Sequence, residues 1–450
     1  MNMDAKVKNL YNEIEKYKKY RFPLSSGNKT VRQFLSDIYN DYKRETNASI
    51  FLNTEDKEAI EKLCNGIIES LTLYDDFDVI SSYSVFFKVM DNAKNHLWYS
   101  FVEDTSHSYY RIRSGTPDKV YSHLEMLHIP FEDRHFADNA RFSLPGIPST
   151  YMSTMESLAW YESGLPEKFY IAKYDINVMK KFKLLYLDIN PLLTSHDLQL
   201  MILNGKEMNK IIPLYIAIAK MFPLLFACSV TVKNKSASFK EEYIIPQMLM
   251  SWVKQSNDFI GIRYNSASGY ERAAEYNANN IVIPIKEVDT DGYCKILKRL
   301  FIENVLPDVK FIDIQQKLDK HVGSIDRIRE FYATVKYSWQ TSKVELPYID
   351  ILGICQSIIL NYDLFRSNYS QCSYVCLANI ANLNGYVNLV INQLKEKYEA
   401  DYSNYNVKDI YKHLLTDEIK INTQRTLLEF ETFIKKFIED FINFDLKMFI

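Results

Sequence analysis

The sequence predicts an α+β protein in which a mixed β core lies between an N-terminal and a C-terminal α-helical region. Apolar residues recur at helical spacing up to about residue 95. Short β-like runs separated by helical patterns follow, and helical spacing returns after about residue 350. We therefore expect a helical region over 1–95, a catalytic-type core over 96–300 and a mainly helical region over 301–450.

Two amphipathic patterns and one cap predict the first three helices. The apolar stripe of the first is Val7, Leu10, Tyr11, Ile14 and Tyr17, and that of the second is Val31, Phe34, Leu35, Ile38 and Tyr42. Asn53 and Thr54 begin the third helix. Glu55 and Asp56 follow there, where negative charge suits the positive helix N-terminus.

Short runs in the middle of the chain are typical of β-strands. They are Ser108–Arg113, Lys168–Tyr174, Leu184–Asp188, Ile260–Tyr264 and Asn280–Ile285, with helical patterns at 153–162 and 241–256 between them. Near the far end, apolar residues between Phe430 and Ile442 form a continuous stripe. That stripe predicts a core-facing helix or a partner surface.

The glycine content excludes the common phosphate-binding loops. Only 12 of the 450 residues are glycine, and no two of them lie closer than eight positions. A P-loop and a dinucleotide-binding G-x-G-x-x-G motif both need clustered glycines, because the backbone must approach a phosphate closely. If the protein handles a nucleotide, side chains must hold it.

Charge and apolar patterning predict a cytoplasmic protein without a nucleic-acid partner. The net charge is −3, and Met1–Arg21 is charged throughout and unlike a signal peptide. The most apolar run, Ile211–Val230, contains Lys220 and two prolines, Pro213 and Pro223. We therefore expect a buried helix pair there rather than a membrane span. Six scattered cysteines indicate reduced thiols rather than a disulfide framework.

Alternation along the run near residue 110 places Arg111 and Arg113 on one strand face together with Tyr109. Neighbouring guanidinium groups repel each other unless an anion or carboxylates lie between them. One interpretation is an anion-binding cleft, since guanidinium forks match phosphate geometry. The other is a solvated strand face or a structural ion pair.

Glu162 is the carboxylate that disagrees most with its local pattern. Ser153 and Glu156 have the spacing of a capping box, which gives Glu156 a structural role. Glu162 instead continues the apolar series of Leu158 and Ala159, so we expect it on the apolar helix face and buried. Burial requires a cation or strong donors, for which Arg141, Arg111 and Arg113 are candidates. A catalytic carboxylate and a buried structural ion pair both satisfy this pattern.

A loop and a short strand precede this helix. A turn with prolines and a glycine leads from Arg141 into a strand ending at Tyr151, which lies eleven residues before Glu162. Later, Gly261–Ser266 ends a strand in a hydroxyl, which in isolation is typical of a turn residue. The histidines lack the spacing of a metal site, so no metal is predicted.

Together these residues resemble the RES domain, a family named for its arginine, glutamate and serine. The matching residues, in order, are Tyr110, Arg111, Arg141, Tyr151, Glu162 and Ser266, within roughly residues 105–290. Gly146–Tyr151 before the helix, Ala159 before the glutamate and Tyr243–Leu249 before the serine strand are also similar. The usual Gly-Arg-Trp-Asn run reads Ala140–Ser143 here, the stretch between the arginines is enlarged, and helical flanks are added.

The resemblance implies an ADP-ribosyltransferase-like fold and consumption of NAD+ without a metal. Arg111 and Arg141 would match the two arginines of the family and hold the pyrophosphate or adenosine ribose. Tyr151 would stack on nicotinamide, Glu162 would act at the ribose, and Ser266 would bind the amide or a ribose hydroxyl. Arg111, Glu162 and Ser266 are thus the catalytic candidates, and Arg141 and Tyr151 the NAD+-binding ones. Arg113 joins the binding candidates from strand alternation rather than from the match.

The leading hypothesis is an NAD+ glycohydrolase or phosphorylase acting as a toxin or defence effector. One alternative is a mono-ADP-ribosyltransferase that modifies a protein, and another is an inactive RES-like binding protein. The expected partners are NAD+, an antitoxin or regulatory protein and a second copy of the chain, with neither nucleic acid nor membrane.

Overall fold

In a computed structural model, the chain is described over much of its N-terminal two thirds. The described residues are 3–17, 19–20, 22–102, 108–176, 182–187, 208–266, 278–303, 305–319, 323, 325–330, 332–333 and 353–363. They combine helices with an eight-stranded mixed sheet, so the predicted α+β class is confirmed. The predicted stripe between Phe430 and Ile442 lies outside the described residues.

The chain divides into two compact units. The first comprises residues 1–113, 118–162 and 170–310, and it contains every candidate site residue. The second comprises 114–117, 163–169 and 311–450. The described helices of the second unit include residues 353–363. The sequence-based boundaries at 95 and 300 stay predictions.

The N-terminal region forms the three predicted helices and a fourth. They are α1 (Met3–Tyr17), α2 (Val31–Ala48), α3 (Thr54–Asp75) and α4 (Val79–Ala93). Asn53 caps α3, because its side chain accepts a hydrogen bond from the Asp56 N–H while the Asp56 carboxylate accepts from the Asn53 N–H. Thr30 and Gln33 form the equivalent capping box of α2.

The sheet contains one strand for each of the five β-like runs, the predicted strand at Tyr151, which continues to Ser153, and two more. The strands are β1 (Tyr99–Phe101), β2 (Ser108–Ser114), β3 (Ser149–Ser153), β4 (Lys168–Asp175), β5 (Lys183–Leu187), β6 (Gly261–Tyr264), β7 (Asn280–Pro284) and β8 (Asp308–Asp313). Their order is β1-β5-β6-β7-β3-β2-β4-β8. β5 and β6 are parallel, whereas β6, β7, β3 and β2 pair antiparallel.

Further helices lie between the strands and after the last one. They are α5 (His123–Leu127), α6 (Glu156–Glu162), α7 (Met208–Cys228), α8 (Ile244–Gln255), α9 (Lys295–Phe301) and α10 (Ile314–Asp319). The prediction that a helix begins in a Ser153 capping box is wrong. Ser153 is the last residue of β3, and its hydroxyl donates to the Asn280 side chain instead of capping α6.

Strand register places a row of polar residues across one side of the sheet. Tyr264 pairs with Asn280, Asn280 with Ser153, and Ser153 with Tyr110. Directly paired residues share a face, and so do residues two apart along a strand, which adds Tyr151 to this side. We call it the site face. The opposite side, which carries Arg111 and Thr150 and is covered by α5, is the α5 face.

Apolar residues of the site face join the main hydrophobic core. Ile262 and Val282 are fully buried in a cluster with residues of the N-terminal helices, α7 and α8. On the opposite side of the sheet, Gly261 at the start of β6 permits close packing against Leu184 and Ile283. A Cβ atom there would lie 2.5 Å from the Val282 carbonyl oxygen, closer than any side chain tolerates.

The apolar run near residue 211 forms one helix, so the expected pair of helices is wrong. α7 continues through Pro213 and Pro223. Because Pro223 has no N–H, the Ala219 carbonyl lacks its ordinary helical donor. The Tyr42 hydroxyl donates to that carbonyl at 2.6 Å, and the Tyr39 hydroxyl donates to the Pro223 carbonyl at 2.7 Å. Two tyrosines of α2 therefore supply hydrogen bonds that keep the helix intact.

By length and composition, Ile211–Cys228 could cross a membrane. In the described structure, however, 67% of that window is buried inside the protein. Lys220 of this helix forms an ion pair with the buried Asp56, with 2.5 Å between Nζ and Oδ1. These contacts are those of a core helix.

Candidate functional site

Arg141 lies in a tight turn before β3. Ala140 and Ser143 exchange backbone hydrogen bonds of 3.1 Å in both directions, and Gly146 adopts a φ of 72° two residues before Pro148. The Gln247 side chain of α8 donates to the Ala140 and Ser143 carbonyls at 3.1 and 3.2 Å. The Gln247 side chain therefore holds the turn against α8 and fixes the position from which Arg141 projects.

The Arg141 guanidinium contacts a helix end and an aromatic ring. Its Nη1 donates to the Cys228 carbonyl at 3.1 Å, at the negative C-terminal end of α7. Its central carbon lies 5.4 Å from the centroid of the Tyr243 ring. One hydrogen bond uses a single N–H of the five that a guanidinium offers, so Arg141 can bind an anion as well.

The hydroxyl of Tyr151 binds the turn that carries Arg141 and so holds the ring beside it. The hydroxyl oxygen accepts from the Phe142 N–H at 3.2 Å and forms a 2.8 Å hydrogen bond with the Ser143 hydroxyl. Burial raises the pKa of Tyr151, which keeps the phenol neutral. The ring thus joins β3 to the Arg141 turn on the site face.

Glu162 is exposed, so the prediction of a buried carboxylate on the apolar helix face is wrong. The apolar face of α6 is covered at Leu158 and Ala159, but the helix ends at Glu162. Gly164, with a φ of 84°, then turns the chain away. The Glu162 Oε1 atom accepts a 2.9 Å hydrogen bond from Asn280 Nδ2. The partner identified here is therefore an amide, not one of the expected arginines.

Two tyrosines that the sequence did not single out lie in the same electrostatic environment. The pKa of Tyr264 is raised first by burial and then by the charge of Glu162, and Arg141 acts in the opposite direction. Burial also raises the pKa of Tyr243, with Arg141 again opposing and Glu162 adding to the rise. Both rings therefore lie within the fields of a cation and a carboxylate, and both stay protonated.

Arg111 lies on the other side of the sheet. It follows Tyr110, which belongs to the site-face row, so its side chain projects to the α5 face. Its Nη1 donates to the Tyr151 backbone carbonyl at 3.3 Å, and its Nε is buried without a hydrogen-bond partner. Burial lowers the pKa of Arg111 to about 10, and the nearby Arg113 adds to this effect. The structure does not bring Arg111 beside Glu162.

Arg113 contacts α5 and a neighbouring ring. Its Nη1 donates to the Glu125 carbonyl at 2.9 Å, and its guanidinium lies 4.5 Å from the centroid of the Tyr121 ring. The strand-face pairing of Arg111 and Arg113 is as expected. Their hydrogen bonds, however, are with the backbone of β3 and α5.

His128, immediately after α5, is a buried polar group on this face. Its Nε2 accepts from the Cys294 N–H at 2.9 Å, so Nδ1 carries the proton that is donated to the Ile129 carbonyl at 2.7 Å. Burial lowers the pKa of His128 to about 4, so the imidazole is neutral.

Ser266 lies two residues beyond the end of β6, as its position in the motif predicts. Asn280, Tyr243 and Tyr264 were missed by sequence reasoning. Asn280 opens a run that reads only as a buried strand, and the two tyrosines are inconspicuous in a chain with 33 of them. Within the described residues, no group of three His, Cys, Asp or Glu side chains could hold a metal ion.

The sequence is similar to a curated protein of Bacillus subtilis (strain 168) named "Putative toxin YopC". The two are 29% identical over 301 residues, which cover 61% of this chain and 65% of the relative. The match therefore spans slightly less than two thirds of the relative. No family model and no solved structure matches the chain.

Proposed function

We propose that this protein is an NAD+-consuming enzyme, a glycohydrolase or phosphorylase, that acts as a toxin or defence effector. The observation that carries the proposal is that Arg141 lies over the Tyr243 ring, while the exposed Glu162 carboxylate accepts a hydrogen bond from Asn280, the register partner of Tyr264. A cation, aromatic faces and a carboxylate are what a dinucleotide site needs when the backbone offers no glycine-rich cradle. The toxin name of the relative supports the biological role.

Each group suits one part of NAD+. Arg141 would bind the pyrophosphate through charge-assisted hydrogen bonds, because its contact with Cys228 occupies one N–H only. Tyrosine rings would stack on the nicotinamide or the adenine. Glu162 would accept hydrogen bonds from the ribose hydroxyls, and Ser266 would bind the carboxamide or a hydroxyl.

The chemistry breaks the bond between C1′ of the ribose and the nicotinamide nitrogen. The bonding electron pair leaves with nicotinamide and neutralises its pyridinium charge, so the leaving group needs no proton. The ribose passes through an oxocarbenium-like state, which a nearby carboxylate stabilises. Water then adds to C1′ and releases a proton, or phosphate adds directly.

We assign Arg111 and Arg113 supporting roles within this proposal. Arg111 donates to the backbone of Tyr151, and Arg113 donates to the backbone of Glu125. Both contacts fix elements around β3 from the α5 face. The catalytic role that the resemblance gives to Arg111 stays a prediction.

Mono-ADP-ribosylation of a protein is a second candidate, favoured by the exposure of Glu162. An exposed carboxylate lets a macromolecular nucleophile approach the ribose, whereas a free dinucleotide hydrolase can enclose its substrate. An inactive RES-like binding protein is the candidate from another class.

Nicotinamide release from NAD+ by the purified protein tests the proposal. Release with free ADP-ribose indicates a glycohydrolase, and phosphate-dependent release with ADP-ribose 1″-phosphate indicates a phosphorylase. Release that requires a lysate and labels macromolecules with ADP-ribose would support the transferase instead. No release under any of these conditions would contradict an NAD+-consuming activity.

Expression in a bacterial host tests the biological role. A toxin of this class should arrest growth and deplete cellular NAD+, and co-expression of an antitoxin or regulatory protein should restore both. Harmless accumulation of the active wild-type chain would contradict toxicity.

A further inference from the structure

A buried asparagine links β3 to the end of α6. Asn280 is the first residue of β7 and is 2% exposed. Its Oδ1 accepts from the Ser153 hydroxyl at 2.5 Å, and its Nδ2 donates to Glu162 Oε1 at 2.9 Å. The two contacts require opposite ends of the amide, because a carboxylate only accepts and the hydroxyl supplies the donor to Oδ1. The orientation of the amide is therefore defined.

The backbone around Asn280 is constrained on both sides. Asn280 is paired with Ser153 of β3 and with Tyr264 of β6. A residue in the interior of a sheet cannot shift without breaking two ladders of hydrogen bonds. The amide is thus a rigid donor, whereas the carboxylate it contacts belongs to the last residue of a short helix.

We infer that Asn280 is a positioning residue that holds one oxygen of Glu162 and so orients the carboxylate toward the ribose of the substrate. This inference rests on the proposed function. Ser153 fixes the amide, and the amide fixes the carboxylate, in the manner of a supporting shell around a reacting group.

Asn280→Asp is the most informative variant, since it exchanges the donor for a second carboxylate of the same size. We expect kcat for nicotinamide release at neutral pH to fall roughly 10- to 100-fold, with KM for NAD+ changing less than threefold. We also expect the acidic limb of the pH–rate profile to move about one pH unit upward, because two adjacent carboxylates disfavour ionisation of either. A purely structural asparagine would lower the thermal midpoint when substituted but leave the kcat of the folded protein unchanged.

Asn361→Asp is the matched control, because Asn361 is also buried, at 7% exposure, and belongs to the second unit. It should alter the thermal midpoint without moving the pH–rate profile. Ser153→Ala tests the inference where Asn280→Asp does not fold. Removing the hydroxyl frees the amide to rotate, and we expect kcat to fall roughly three- to tenfold with the fold preserved.

The outcomes separate this inference from the proposed function. A wild type that releases nicotinamide, combined with a folded Asn280→Asp that keeps the wild-type profile, would overturn the positioning role alone. An unchanged kcat in Ser153→Ala would do the same. A wild type that releases no nicotinamide would overturn the proposed function, and the positioning role with it.

Discussion

The two faces of the sheet use similar residues in different ways. On the site face, Arg141 projects from a turn, Tyr151 lies within β3, and Glu162 ends α6 with its carboxylate exposed. On the α5 face, Arg111 and His128 donate to backbone carbonyls inside the protein, and burial lowers the pKa of each. The side of the sheet on which a motif arginine lies therefore decides whether it can reach the proposed substrate. Alternation within β2 separates Arg111 from the carboxylate that follows it in the motif.

His128 should make the α5 face the acid-sensitive side of the sheet. The pKa of His128 in the folded protein, about 4, lies below the ordinary value of 6.5. Its contribution to the free energy of unfolding is therefore present above pH 6.5 and is lost as the pH falls toward 4. The loss is about 3 kcal/mol. Urea unfolding at pH 7.5 and pH 4 should show a smaller loss in His128→Gln than in the wild type. Equal losses would mean that His128 is not the acid-sensitive group.

Paired arginine substitutions should distinguish the faces by activity. Arg141→Met should lower kcat/KM for nicotinamide release roughly a hundredfold, or about 2.7 kcal/mol, because a pyrophosphate contact is lost. Arg111→Met removes a buried cation without touching the proposed substrate, so activity should fall less than tenfold. Steady-state kinetics and thermal melting on both variants measure the difference. The reverse ranking would return Arg111 to the catalytic position that the resemblance implies.

Tyrosine substitutions in α2 should test the support that reaches the site face through α7. Tyr42→Phe leaves the buried Ala219 carbonyl without a donor and should lower the free energy of unfolding by about 2 kcal/mol. Tyr39→Phe removes a donor from the Pro223 carbonyl and should cost about 1 kcal/mol. Urea denaturation of the two variants provides the measurement. Equal losses of unfolding free energy in the two variants would contradict the claim that Pro223 leaves the Ala219 carbonyl dependent on Tyr42.

Much of the fold could be predicted from the sequence. The stripes from Val7 to Tyr17 and from Val31 to Tyr42 became α1 and α2, and Asn53 became the cap of α3. These features depend on local periodicity and on side chains that bind adjacent backbone. For the same reason, the sequence could predict one loop–strand–helix unit that contains Arg141, Tyr151 and Glu162.

Other features depend on contacts between distant segments. Glu162 continues an apolar pattern, yet it is exposed because α6 ends there. Asn280 contacts Glu162 across 118 residues, and a spacing rule cannot indicate such a pair. The prolines of α7 predicted a break, but hydroxyl donors from another helix compensate for one of them.

The most direct test of the site is nicotinamide release by Glu162→Gln, with Glu156→Gln from the first turn of the same helix as the control. We expect Glu162→Gln to lose at least a hundredfold in kcat with an unchanged thermal midpoint, because the amide cannot stabilise the oxocarbenium charge. Glu156→Gln should stay within threefold of the wild type. Undiminished turnover by a folded Glu162→Gln would contradict the catalytic role proposed for Glu162.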